Sequence, residues 1–163
     1  MMDIQQIGRL DCVVVELEGD IARLVRASQS HQPILLAPEF CIVLAKSWLS
    51  LTYEVFRTIQ QRLRSNSELR AHWNGGIDQA FSNLERVRVA ELKREIAKGN
   101  KLKGRVELVV PGDEQATAKD YLHGQTVLNS LLALRPTDGS IVWHAFNPDL
   151  GQSEELYRRD MSE

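Results

Sequence analysis

Chemistry in a chain of 163 residues rests on a few side-chain types, so histidine, cysteine and clustered charge are weighed first. The four histidines are His31, His72, His123 and His144. None stands three or four residues from another, the spacing that brings two imidazoles onto one helical face around a metal. Asp120-Tyr121-Leu122-His123 is the nearest approach to a ligand pair. A single Asp-x-x-His reads better as two polar side chains in water. His144 lies in the apolar run 141–146, which predicts a partly buried, hydrogen-bonded imidazole rather than a base. Cys12 and Cys41 form no CxxC pair and no disulfide framework, and they read as small buried hydrophobes in a reducing cytosol. There is no Walker loop, GxGxxG, HExxH or GxSxG segment. The sequence therefore assigns no catalytic residue, no metal ligand set and no cofactor.

Charge is the feature that points at a partner. Residues 1–38 carry five acids and three bases, 39–106 seven acids and thirteen bases, and 107–163 ten acids and four bases. The net values are −2, +6 and −6, against −2 for the whole chain. Within 86–105 the bases include Arg86, Arg88, Lys93, Arg94 and Lys98, the five residues best placed to contact the phosphates of a nucleic acid. Contacts of that kind weaken steeply with salt. Two plainer readings compete. The basic face is solvated and paired locally three residues apart, as Glu85 with Arg88 and Glu91 with Arg94. Or the acidic C-terminal part folds against it, within the chain or across to a second subunit.

One further spacing calls for a test. Arg26-Ala27-Ser28-Gln29-Ser30-His31 satisfies formally the arginine–histidine separation of helical HEPN-type ribonucleases. Ala27 stands where that pattern places a polar residue, and the match lies where a helix end runs into a proline loop. It does not amount to a resemblance, and no family is recognised in any part of the chain.

These side chains hang on a helical scaffold. In 38–98 the periodicity predicts two long amphipathic helices joined through 65–76. Phe40, Leu44, Trp48, Leu51, Val55, Ile59 and Leu63 line one face of the first. Val43, Ala45, Leu49 and Phe56 widen it, so more than one neighbour covers this helix. The second helix has its firm start near Ile77, because Gly75-Gly76 is costly inside a helix, about 1 kcal/mol per glycine. Ile77, Phe81, Leu84 and Val87 form one stripe, and Val89, Leu92 and Ile96 a second, rotated stripe. Residues 3–28 carry Ile7, Leu10, Val14, Leu17, Ile21 and Leu24 at heptad-like steps, which favours helix over a hairpin turning at Glu18-Gly19-Asp20. Beyond Gly99, 105–110 reads as a short strand and 113–120 as a polar loop. Residues 121–134 read as a short helix buried through Val127, Leu128, Leu131 and Leu132. Pro136-Thr137-Asp138-Gly139 and 147–151 read as turns framing a β-hairpin over 140–160, with 154–160 as the return strand.

The fold expected is mainly α, a bundle of three principal helices over 1–104 with a small C-terminal helix and β-hairpin over 105–163 packed on it. Asp3 and the lack of a basic start argue against a secretory leader, and Pro38, Glu39 and Lys46 interrupt the best apolar window, so a cytoplasmic location is expected. The leading function is a non-enzymatic interaction or regulatory protein, a homo-oligomer or the binder of a protein partner, without a membrane. The alternative is nucleic-acid binding, or HEPN-like RNA cleavage, along the basic helix 86–105. A third class, a ligand-binding bundle, predicts a pocket lined by Trp48 and Phe81. Trp48, Trp73 and Trp143 otherwise read as core or interface anchors.

Overall fold

The computed structural model describes residues 4–27, 36–72, 75–93, 96–97, 102, 107–108, 119–120, 131–135 and 138–162. Helix α1 spans Ile4–Ala27. The hairpin alternative for this segment is absent. The heptad steps override the β preference of Val13-Val14-Val15, because Ile7, Val14 and Ile21 are all buried on one face. Helix α2 spans Leu36–Ser65, so Pro38 sits in its first turn, where a missing N–H costs nothing. Cys41, Ala45, Trp48, Leu49, Tyr53 and Leu63 are its buried apolar residues. Phe40 and Val43, expected among its packing positions, face solvent instead.

A short helix α3, Ser67–Ala71, follows, capped by the Asn66 side chain, which accepts from the Leu69 N–H. Helix α4 then runs Gly75–Arg88, two residues earlier than expected. Both glycines fall in the first turn, which limits what they cost. A π-helical turn, Val89–Lys93, continues α4. The extra residue of such a turn rotates the chain, and this is where the sequence showed two offset stripes. Leu92 nevertheless remains exposed, while Ile96 and Ala97 are buried.

Strands β1, Glu107–Leu108, and β2, Lys119–Asp120, pair antiparallel. Thus 119–120 is strand where a polar loop was expected. Strand β3, Leu131–Leu134, corrects the helix expected over 121–134; the remainder of that stretch lies outside the described residues. Strands β4, Ile141–Asn147, and β5, Gln152–Tyr157, complete a three-stranded antiparallel sheet in the order β3-β4-β5. The expected hairpin is present, but its return strand ends at Tyr157. A short C-terminal helix is present, but it is α5, Arg158–Ser162, where the last residues of the return strand were expected.

Both turns of the sheet use glycine at positive φ, Gly139 at 66° and Gly151 at 68°. Gly139 has a second reason to be glycine. A Cβ there would collide with the Glu18 carbonyl oxygen and stand 2.8 Å from the Ala22 nitrogen, so the turn presses on the backbone of α1. One apolar cluster joins the helices and the sheet. It includes Val14, Trp48, Leu84, Ile141, Trp143 and Met161. The sheet is therefore part of the core of the bundle. No helix among the described residues is long and apolar enough to cross a membrane.

Candidate functional site

The ionisable groups converge at two places. The first is deep inside. The heptad face of α1 carries Glu18 one turn beyond Val14, and α5 starts at Arg158 where β5 ends. The Arg158 side chain is 2 % exposed and that of Glu18 is 11 % exposed. Arg158 donates from Nε to Glu18 Oε1 at 3.2 Å and from Nη2 to Oε2 at 2.7 Å. Its Nη1 donates to Asp11 Oδ1 at 2.5 Å. Glu18 Oε1 also accepts the Ile141 N–H at 2.8 Å, which ties β4 to the same carboxylate. The guanidinium lies 5.8 Å from the Trp48 ring centre, and Trp48 stacks on Trp143 with centroids 6.5 Å apart.

This arrangement is closed. Burial alone would lower the Arg158 pKa, but the hydrogen bonds and charge of Glu18 and Asp11 outweigh it and raise it. Cys41 lies nearby, and burial, helped by the charge of Glu18, pushes its thiol up to about 11. It is a neutral thiol at physiological pH and a poor nucleophile. Cys12, expected to be buried, is exposed, because it lies on the side of α1 away from the core. The cluster joins α1, β4 and α5, and all three guanidinium nitrogens of Arg158 are engaged in it.

The second convergence involves the basic helix. Arg86 is largely buried and donates from Nη1 to Glu154 Oε2 at 2.6 Å; its Nη2 donates to Asn83 Oδ1. Glu154 Oε1 accepts from Asn147 Nδ2 at 2.9 Å. An acid of the C-terminal part thus folds onto the basic helix within one chain. Arg88 Nη2 donates to Glu54 Oε1 at 3.4 Å, and its guanidinium covers the Tyr53 ring at 4.3 Å. Tyr53 stacks on Phe81, and burial raises its pKa. Lys46 pairs with Glu91 across α2 and the π-helical turn. Lys93 closes that turn, while Arg94 and Lys98 lie outside the described residues. Of the five cations singled out for phosphate contact, Arg86 and Arg88 are engaged with carboxylates of the same chain.

Beside Arg86 runs a groove of about 700 Å³ between α4 and the β4–β5 hairpin. Gln79, Asn83, Asn147, Asp149 and Glu155 are among its walls. Trp48 and Phe81 do not line it; Trp48 is buried against Trp143, and half-buried Phe81 stacks on Tyr53. His144 is half-buried in β4, and His72 Nδ1 lies 2.8 Å from the Glu68 carbonyl oxygen. Arg26 is exposed in the last turn of α1, and His31 lies outside the described residues, as does His123. Among the described residues, no group of three or more His, Cys, Asp or Glu side chains is placed to hold a metal ion.

Sequence reasoning missed the Arg158 cluster, since its members lie 140 and 147 residues apart along the chain. One signal was present: Glu18 interrupts the apolar face between Val14 and Ile21. An acid in that position needs a buried partner. No family model, curated protein or solved structure matches the chain.

Proposed function

We propose that the chain is a non-enzymatic interaction protein that assembles with copies of itself through apolar positions on its long helices. The observation that carries this reading is the exposure of large apolar side chains on both. Phe40 and Val43 on α2 are 66 % and 60 % exposed, and Ile4 and Val15 on α1 are 67 % and 47 % exposed. Burying such a side chain in an interface gains about 1.5–3 kcal/mol. The charges that could drive assembly are partly used within the chain, as Arg86 with Glu154 and Arg88 with Glu54 show. A reducing cytoplasm suits two thiols that are both free.

Light scattering of the native chain beside a variant with Ile4, Val15, Phe40 and Val43 all changed to serine tests the reading. The expected result is a native oligomer and a folded, monomeric variant. Equal molar masses for the two would overturn it.

A further inference from the structure

We infer that α1 is the interface, and that it pairs antiparallel with α1 of a second copy about a twofold axis passing between Val13 and Val14. This rests on the self-association proposed above and names the surface and the geometry.

Ile4, Gly8, Cys12, Val15 and Gly19 step by four, four, three and four, so they form one stripe along α1. All five are exposed. The buried seam of Ile7, Val14 and Ile21 lies on another side of the helix. The two glycines are the informative members. Each costs about 1 kcal/mol in a helix interior relative to alanine. Among the described residues nothing repays that cost, since a Cβ at Gly8 or Gly19 would meet no atom within 4 Å. Nor does either adopt a positive φ, unlike Gly139 and Gly151. A mid-helix glycine in open space is explained when another backbone approaches it from outside.

The order of the stripe identifies the occupant. Across an antiparallel twofold pair, facing residues share one midpoint. Gly8 with Gly19 and Cys12 with Val15 share theirs, between Val13 and Val14. The four central residues are therefore self-complementary, as an isologous interface must be, and Ile4 lies opposite Arg23 at the edge. Gly8 of one copy faces Gly19 of the other at both ends, and Cys12 faces Val15 twice near the centre. Charge agrees with this register. Arg9 and Glu16 flank the stripe, are exposed, and make no ion pair among the described residues. Arg9 of one copy comes within reach of Glu16 of the other, twice. A contact of one helix on one helix falls below about 1,200 Å², so association is weak and follows protein concentration.

The experiment uses the full chain at up to about 100-fold dilution steps around the micromolar range typical of such weak pairs. Sedimentation equilibrium compares the native chain with Gly8→Leu/Gly19→Leu. Open space at both sites lets the variant fold, and its thermal midpoint equals or exceeds the native one. Its dimer dissociation constant rises at least ~10-fold, because leucine holds the backbones apart. A second measurement needs no variant. In this register the two Cys12 residues are offset by three residues, about 4.5 Å along the axis, across an interaxial gap of about 8–10 Å. A short bismaleimide then links native chains through Cys12, while buried Cys41 stays unmodified. An oligomer that tolerates both leucines and gives no Cys12 cross-link overturns this interface and leaves self-association standing. A native chain that stays monomeric overturns both. If the leucine variant fails to fold, the Cys12 cross-link decides.

Discussion

Replacing Arg158 by methionine removes a guanidinium that is 2 % exposed and holds Glu18 and Asp11. Glu18 keeps one donor, the Ile141 N–H, and loses two charged hydrogen bonds in a nearly dry setting. Breaking one partner of a buried pair costs about 3–5 kcal/mol, because the remaining charge is left uncompensated. That is a large part of the 5–15 kcal/mol that stabilises a typical domain. At about 2–4 °C per kcal/mol for a chain of this size, the midpoint falls by about 6–20 °C. Changing Glu18 to glutamine together with Arg158 to methionine removes the two buried charges and leaves Asp11, whose side chain is 25 % exposed, so the double variant recovers to within about 2 kcal/mol of native. Urea unfolding followed by tryptophan fluorescence is the assay, since Trp48 and Trp143 stack beside the cluster. An Arg158→Met variant within about 1 kcal/mol of native would mean that the pair behaves as a solvated surface pair, since such pairs have that worth.

Other consequences are equally open to measurement. Gly139→Ala loses more than 2 kcal/mol, on the order of a positive-φ penalty plus a backbone clash with α1, whereas Gly151→Ala loses only about 1 kcal/mol because its surroundings are open; paired denaturation curves compare them. Asp138 is held at about 2, chiefly by its hydrogen bonds to the Ser140 hydroxyl and N–H and then by Arg159, below its ordinary 3.8. A depressed carboxylate adds stability above its unfolded pKa and loses it as pH falls through the folded one. The native chain therefore loses about 1 kcal/mol more than Asp138→Asn between about pH 4 and pH 2, a figure kept small for solvent screening. In dilute protein at pH 8, a thiol-reactive chromophore titrates Cys12 rapidly and Cys41 only after denaturant is added.

Local periodicity carried much of the fold. The seam of α1 was legible because burial of Ile7, Val14 and Ile21 sets its phase more strongly than three consecutive valines favour a strand. Strand β4 was legible because its apolar residues run without alternation, as a strand covered on both faces requires. Strand β3 was not. Leu131 to Leu134 are good helix formers, and only pairing with Ile141 to His144 makes them a strand. The end of β5 was equally hidden, since the chain turns into α5 where Arg158 reaches Glu18. Charge segregation was visible as a pattern, yet which carboxylate Arg86 would choose depended on the β4–β5 hairpin bringing Glu154 to α4. Phe40 and Val43 fit the apolar periodicity of α2, and only the completed packing shows that they remain outside. The stripe of Gly8, Cys12, Val15 and Gly19 gained meaning only once the space around the two glycines was known to be open.

What we propose is that apolar helix positions join one copy to the next, while Arg86 and Arg158 find their carboxylates inside each chain. Sedimentation equilibrium of the native chain in low and in high salt is the decisive measurement. The expected mass rises above 18.5 kDa with concentration and changes little in high salt, because exposed pairs such as Arg9–Glu16 are worth about 1 kcal/mol or less. An oligomer that dissociates as salt is added, or a mass of 18.5 kDa throughout, would contradict it.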